Sequence, residues 1–167
     1  MTKILALLVA LAIIGTSAMR MSPLKFNLAK LQVARNTTLK AVPKFTSCNQ
    51  AGAIWQNPKF SSDSNDWKPG DTPNIIMQGT LSQQVNAGTI VAKGWFAGIS
   101  VMDNTDDMCN YEGTPFHCPM AAGATTVQVP FELPVPPFSG LLEGKLDLTD
   151  VSGKQILCID FSVDLVV

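Results

Sequence analysis

From Thr126 to Val135 every second side chain is apolar: Val127, Val129, Phe131, Leu133 and Val135 alternate with Thr126, Gln128, Pro130, Glu132 and Pro134. A strand with this pattern has one dry face and one wet face, and must lay the dry face on a second layer. The two prolines on the outer set predict an edge strand, because proline donates no ladder hydrogen bond. The alternation recurs. Ile75, Met77 and Leu81 share one face of a strand over 75–82. Leu142, Leu146 and Leu148 oppose Glu143, Lys145 and Asp147, and after a Ser152-Gly153 turn Ile159, Phe161, Val163 and Leu165 oppose Asp160, Ser162 and Asp164. A further strand is expected near Ala53–Phe60. The apolar run from Thr89 to Met102, broken by Gly94 and Gly98, predicts a strand that bends or bulges. Helical periodicity is weak after Cys48. Six or seven short strands with turn signals between them predict an all-β fold, an immunoglobulin-like β-sandwich of two antiparallel sheets. The inner positions of the four clear strands carry no charge. They suit an ordinary filled core as well as the wall of a cavity for a hydrocarbon chain, and alternation does not separate the two.

The N-terminus reads differently. Lys3 precedes eleven unbroken apolar residues, Ile4 to Ile14, followed by Gly15-Thr16-Ser17-Ala18. At a rise of about 1.5 Å per residue this run is too short for a bilayer core of roughly 30 Å. It predicts a signal peptide over 1–18, and therefore a secreted or lumenal protein. In an oxidising compartment the four cysteines predict two disulfides. Cys109 and Cys118, separated by eight residues that include Asn110, Gly113 and Pro115, suit a local closure, which leaves Cys48 to pair with Cys158. A zinc site is disfavoured by the lack of any C-x-x-C pair and by a single histidine, His117.

Charge is partitioned. Residues 19–47 hold Arg20, Lys25, Lys30, Arg35, Lys40 and Lys44 and no acid, whereas residues 48–167 hold five lysines against 13 acids, a balance of −8. The basic segment also carries the sequon Asn36-Thr37-Thr38, a glycosylation candidate at Asn36. It reads as a propeptide or flexible arm, with two alternatives: an arm folded onto the acidic domain, or a contact for anionic lipid. The acidic balance argues against nucleic acid.

No catalytic constellation is legible. His117 sits beside Phe116 and Cys118, and no G-x-S-x-G elbow, H-E-x-x-H, Walker loop or dinucleotide fingerprint occurs. Asp103-Asn104-Thr105-Asp106-Asp107 clusters oxygen ligands but lacks the glycine and terminal glutamate of an EF-hand loop, so a solvated hairpin is expected there. No enzyme, metal or cofactor is expected.

Several segments, taken in order, resemble the ML lipid-recognition family, which includes the Niemann–Pick type C soluble sterol carriers and the phosphatidylglycerol/phosphatidylinositol transfer proteins. They are Val91-Ala92-Lys93-Gly94-Trp95-Phe96, Asp107-Met108-Cys109, Cys118-Pro119-Met120, Phe131-Glu132-Leu133-Pro134-Val135, and Gln155-Ile156-Leu157-Cys158-Ile159-Asp160-Phe161. The resemblance covers about 120 residues, with Cys48 where the family's first cysteine opens the domain. It implies a sandwich splayed around an internal lipid cavity over 48–167, and supports both disulfide pairings. It also implies a monomeric carrier of a sterol or phospholipid that meets membranes or a membrane acceptor protein transiently. Val135 matches a pocket position and Phe138 an aromatic one. The expected lipid contacts are Met77, Phe131, Leu133, Val135, Phe138, Leu146, Ile159 and Phe161, with the headgroup at a mouth near Trp95 and the Asp103 loop. Two departures stand out: 61–67 lacks the cysteine of a third family disulfide, and Asp103 replaces an aromatic of the sterol carriers.

Overall fold

A computed structural model of the protein describes residues 42–166. The expected signal peptide, most of the basic segment and Asn36 lie outside the described residues. Eight strands follow one another: β1 (Lys44–Ser47), β2 (Trp55–Ser62), β3 (Asn74–Leu81), β4 (Gly88–Phe96), β5 (Ile99–Asp107), β6 (Gly123–Pro130), β7 (Gly140–Asp150) and β8 (Gln155–Leu165). They form a five-stranded sheet in the order β1-β8-β7-β4-β5 and a three-stranded sheet in the order β2-β3-β6, with every pairing antiparallel. The β-sandwich is as expected, and the strand count is higher by two features that local sequence hides. Strand β1 lies inside the segment expected as an arm and pairs Phe45 with Phe161. The run 89–102 is a hairpin rather than one bent strand, reversing at Ala97-Gly98.

Both residues of that reversal have positive φ, 49° and 79°. This is the twist a two-residue hairpin needs, and it is ordinarily signalled by Asn-Gly or Asp-Gly. Alanine at the first position conceals it. The expected bulge is present too: the β4–β5 register shifts between Gly94 and Trp95, leaving Val101 as the extra residue. Residues 103–107, expected as a solvated hairpin, are instead the second half of β5, because the chain has already turned. Asp107 does end the strand, its carboxylate accepting from the Cys109 amide and the Asn110 side chain.

The inner positions fall where alternation puts them. Ile75, Met77, Leu81, Val127, Val129, Leu142, Leu146, Leu148, Ile159, Phe161, Val163 and Leu165 are all buried. Pro130 ends β6, which lies at the edge of its sheet. Beyond it the alternation persists without a named strand: the Phe131 amide donates to Pro73 O at 2.9 Å and the Leu133 amide to Asp71 O at 2.9 Å. Phe131 and Leu133 stay buried, whereas Val135 does not.

One end of the sandwich is clamped. Cys48 is bonded to Cys158 with Cα atoms 4.9 Å apart, and Cys109 to Cys118 at 5.6 Å. Around the first, Asn49 accepts from the Cys158 amide at 2.6 Å and donates to Trp55 O at 2.8 Å. The Gln155 side chain accepts from the Gln50 amide at 2.6 Å and donates to Asp147 at 3.0 Å. These bonds satisfy polar groups taken from water and tie the two sheets at the base.

Three turn carboxylates set the acid response. Asp63, bonded by the Asn74 side chain and amide, Asp107, bonded by Asn110 and Cys109, and Asp150, bonded chiefly by the Ser152 hydroxyl, are all held below the ordinary value of 3.8. Burial pushes Asp106 the other way. A lowered folded-state value contributes stability above the unfolded value and loses it as pH falls through the folded one. Denaturant midpoints are therefore expected to fall as pH drops below about 4. Asp150→Asn should flatten that slope; an unchanged slope would remove Asp150 from the account.

Candidate functional site

Between the sheets, a small void is walled entirely by apolar side chains. Ile75 and Met77 of β3 and Val129 of β6 face Met102 of β5, Leu146 of β7, and Ile159 and Phe161 of β8, with Phe131 closing one side. Its volume is about 20 Å³, room for one water-sized sphere and far below the roughly 300–1,000 Å³ of ligand pockets. Gly144, on the inner face of β7, leaves the space filled by the Phe161 ring, which any side chain there would strike. An aromatic chain runs outward from the void: Phe161 to Phe131 at 4.9 Å, Phe131 to Trp67 at 5.7 Å, Trp67 to Phe45 at 6.1 Å. The Trp67 indole N–H donates to Ser62 Oγ at 2.9 Å, so its polar atom is satisfied.

The void lies above the clamped base, and the opposite end of the sandwich is apolar at its surface. There the β4–β5 turn, the 131–139 segment and the start of β7 expose Ile99 (66%), Val135 (47%), Phe138 (52%) and Leu141 (39%). Phe138 packs against buried Phe96 at 5.3 Å, which links the surface patch to the interior. On β5 the inner face passes from buried Met102 to Asn104 and Asp106, whose partners across the ladder are Ala92 and Ile90. Desolvation by burial raises the Asp106 value above that of an ordinary carboxylate.

The nine expected lipid contacts therefore separate into four groups. Met77, Phe131, Leu146, Ile159 and Phe161 line the void. Leu133 is buried but occupied in the hydrogen-bonded pairing with 70–71, as Gly70 N also donates to Leu133 O. Val135 and Phe138 are at the apolar rim, not inside. Trp95 is misplaced by the expectation: Gly94 and Phe96 point inward, so parity turns Trp95 to the outer face of the five-stranded sheet. Asp103 is likewise on that outer face, 3.8 Å from Lys93, and not at a mouth. Ile75, Val129 and Met102 were not among the expected contacts. The first two were legible as inner positions, whereas Met102 required the hidden hairpin. His117 is exposed in the Cys109–Cys118 loop, and no group of three potential metal ligands occurs among the described residues.

The profile of the ML domain matches residues 42–165. The chain belongs to the ML-domain family. A Dictyostelium discoideum protein bearing the name of a phosphatidylglycerol/phosphatidylinositol transfer protein is 27% identical over 123 residues, covering 68% of this chain and 87% of the relative. A second so named from the same organism is 25% identical over 131 residues, covering 68% and 86%. Among solved structures, chicken MD-1 complexed with lipid IVa superposes with a TM-score of 0.55 at 18% identity, over 81% of this chain and 96% of that one. A Niemann–Pick type C2 protein from the Japanese carpenter ant gives 0.54 at 16%, over 73% and 98%. These likenesses carry the β-sandwich fold of the ML domain.

Proposed function

We propose that this protein takes up a lipid between its two sheets and carries it between membranes in an oxidising compartment outside the cytosol. The observation that carries the reading is the wholly apolar void, contributed by both sheets, in a core whose Phe96 packs on Phe138 of an exposed apolar rim. The two disulfides suit such a compartment, and the named relatives support lipid transfer as the activity. Because the void is about 20 Å³, uptake is coupled to separation of the sheets at the rim end, while the Cys48–Cys158 clamp holds the base. The gain is the hydrophobic one, about 25 cal/mol for each Å² of apolar lipid surface removed from water. Nothing in this mechanism requires catalysis.

The rim also bears on which lipid. Lys93 and Lys145, the cations that an anionic headgroup would need, are on the outer face of the large sheet, and Lys93 is paired with Asp103. The loop before β3 offers Lys68, itself 3.8 Å from Asp66, and its backbone amide meets the Asp71 carboxylate, whose own backbone pairs with the 131–133 segment that carries Glu132. Like charge beside the rim disfavours a phosphate monoanion. The reading is therefore a sterol or a zwitterionic phospholipid in preference to an anionic one. Transfer of labelled phosphatidylcholine, phosphatidylglycerol and sterol between vesicles tests it. Transfer of the first or third is expected to exceed that of phosphatidylglycerol, and Ile99→Asp with Phe138→Asp should slow it at least tenfold with little loss of stability. Absence of transfer for all three lipids would reject the carrier role.

The small volume also suits the rival reading, a filled sandwich that presents its surface to another protein. The two readings part on what happens when the void is filled.

A further inference from the structure

We propose that the outer face of the five-stranded sheet is a second binding site, for an uncharged sugar, centred on Trp95 and separate from the space between the sheets. Of the three tryptophans, Trp55 and Trp67 are fully buried, whereas Trp95 stands half-buried on the wet face of a strand in the interior of the sheet. Its direct cross-strand neighbours, Ser100 on β5 and Glu143 on β7, are exposed and polar, so they give the indole no apolar partner. The β4–β5 bulge falls at this residue, between Gly94 and Trp95. Bulges of this kind re-aim side chains and recur beside functional sites.

The indole forms one wall of a groove of about 390 Å³ that crosses four strands. Glu143 and Gly144 of β7, Asp160, Phe161 and Ser162 of β8, and Lys44 and Thr46 of β1 complete it, Phe161 being shared with the void. The volume is within the range of small-ligand sites. Neither the Glu143 nor the Asp160 carboxylate has a hydrogen bond or ion pair among the described residues, although both are beside hydroxyls and an ammonium group.

The chemistry selects the ligand class. Glu143 and Asp160 stand against Lys44 in the groove and Lys145 opposite Asp160 on the same face, so the site has no positive excess to hold an anion. A quaternary ammonium group is held by a cage of aromatic faces, and here there is one outward ring, that of Trp95, with a lysine opposite. A sugar ring fits both halves of the site. Its C–H face is apolar and can lie on the indole, and its hydroxyls can donate to Glu143 and Asp160 while accepting from Lys44, Ser162 and Thr46. Hydrogen bonds to the ionised carboxylates would be the strong ones.

Trp95 supplies its own reporter, since acrylamide reaches it and not the two buried indoles. Full-length protein is titrated with mannose, N-acetylglucosamine, galactose and cellobiose while acrylamide quenching is followed. At least one sugar is expected to protect Trp95 saturably. Glu143→Gln, isosteric and exposed, should weaken that binding roughly tenfold or more, the equivalent of one charge-assisted hydrogen bond, with an unchanged thermal midpoint. The same sugar should still protect Trp95 in Leu146→Trp, after subtraction of the introduced indole's signal, because the groove and the void are on opposite faces of the sheet. No protection by any of the four sugars would overturn the proposal. So would protection that survives Glu143→Gln unchanged. Protection by phosphatidylcholine vesicles and not by sugar would assign this face to a membrane instead, and overturn it as well.

Discussion

Leu146→Trp is expected to reduce lipid uptake by at least an order of magnitude while leaving a folded protein. Leu146 is on the central part of β7, buried, and its side chain forms the floor of the void opposite Ile75 and Met77. The indole would occupy the space that the two sheets must open for a hydrocarbon chain. Overpacking of this kind costs about 1–3 kcal/mol, a fraction of the roughly 5–15 kcal/mol that holds a domain together. The matched substitution is Leu146→Met, which conserves volume and should retain both stability and uptake. Uptake is read from partition of a fluorescent phospholipid or sterol, and stability from denaturant unfolding of the same samples. If the tryptophan variant binds lipid as well as the parent, the void is not where lipid goes. If the parent binds no lipid and the variant only loses stability, the sandwich is filled and the recognition reading replaces the carrier.

The largest effect on stability is expected at the base. Removing the Cys48–Cys158 bond by Cys48→Ser with Cys158→Ser should lower unfolding free energy by about 5 kcal/mol, because it frees a loop of 110 residues in the unfolded chain. The Cys109–Cys118 bond spans 9 residues, and the same loop-closure argument gives roughly 2–3 kcal/mol for Cys109→Ser with Cys118→Ser. The long bond also holds β1 against β8 and sits among the Asn49 and Gln155 hydrogen bonds, so its loss loosens the base on which the proposed opening of the rim depends. Urea midpoints measured without reductant, with the remaining disulfide intact, decide the matter. Equal losses for the two pairs would show that loop length does not set the contribution of these bonds.

The match between alternation and structure has a physical limit. Where a strand has one wet and one dry face, period two assigns each side chain to a layer. That is why Met77, Phe131, Leu146, Ile159 and Phe161 were identifiable as inner residues and do line the void. Parity without an anchor is uninformative. In the run 89–102 the faces depended on where the chain reverses, and that reversal rests on an alanine with positive φ at 97. Alternation therefore could not test the mouth position that the family resemblance implied for Trp95, and Gly94 and Phe96 take the inner positions instead. Val135 continued a correct alternation past the point where its partner strand ends, and so came out at the rim.

By itself, then, the sequence determined the all-β class, the two disulfide pairings, the apolar inner set and the acidic balance of the domain, because each is a local or pairwise property of the chain. Strand order, the addition of β1 to the large sheet, the side to which Trp95 turns and the volume between the sheets were decided only by tertiary structure. Those depend on register between distant strands and on how closely opposing side chains interdigitate, and neither is a property of any one segment of the chain.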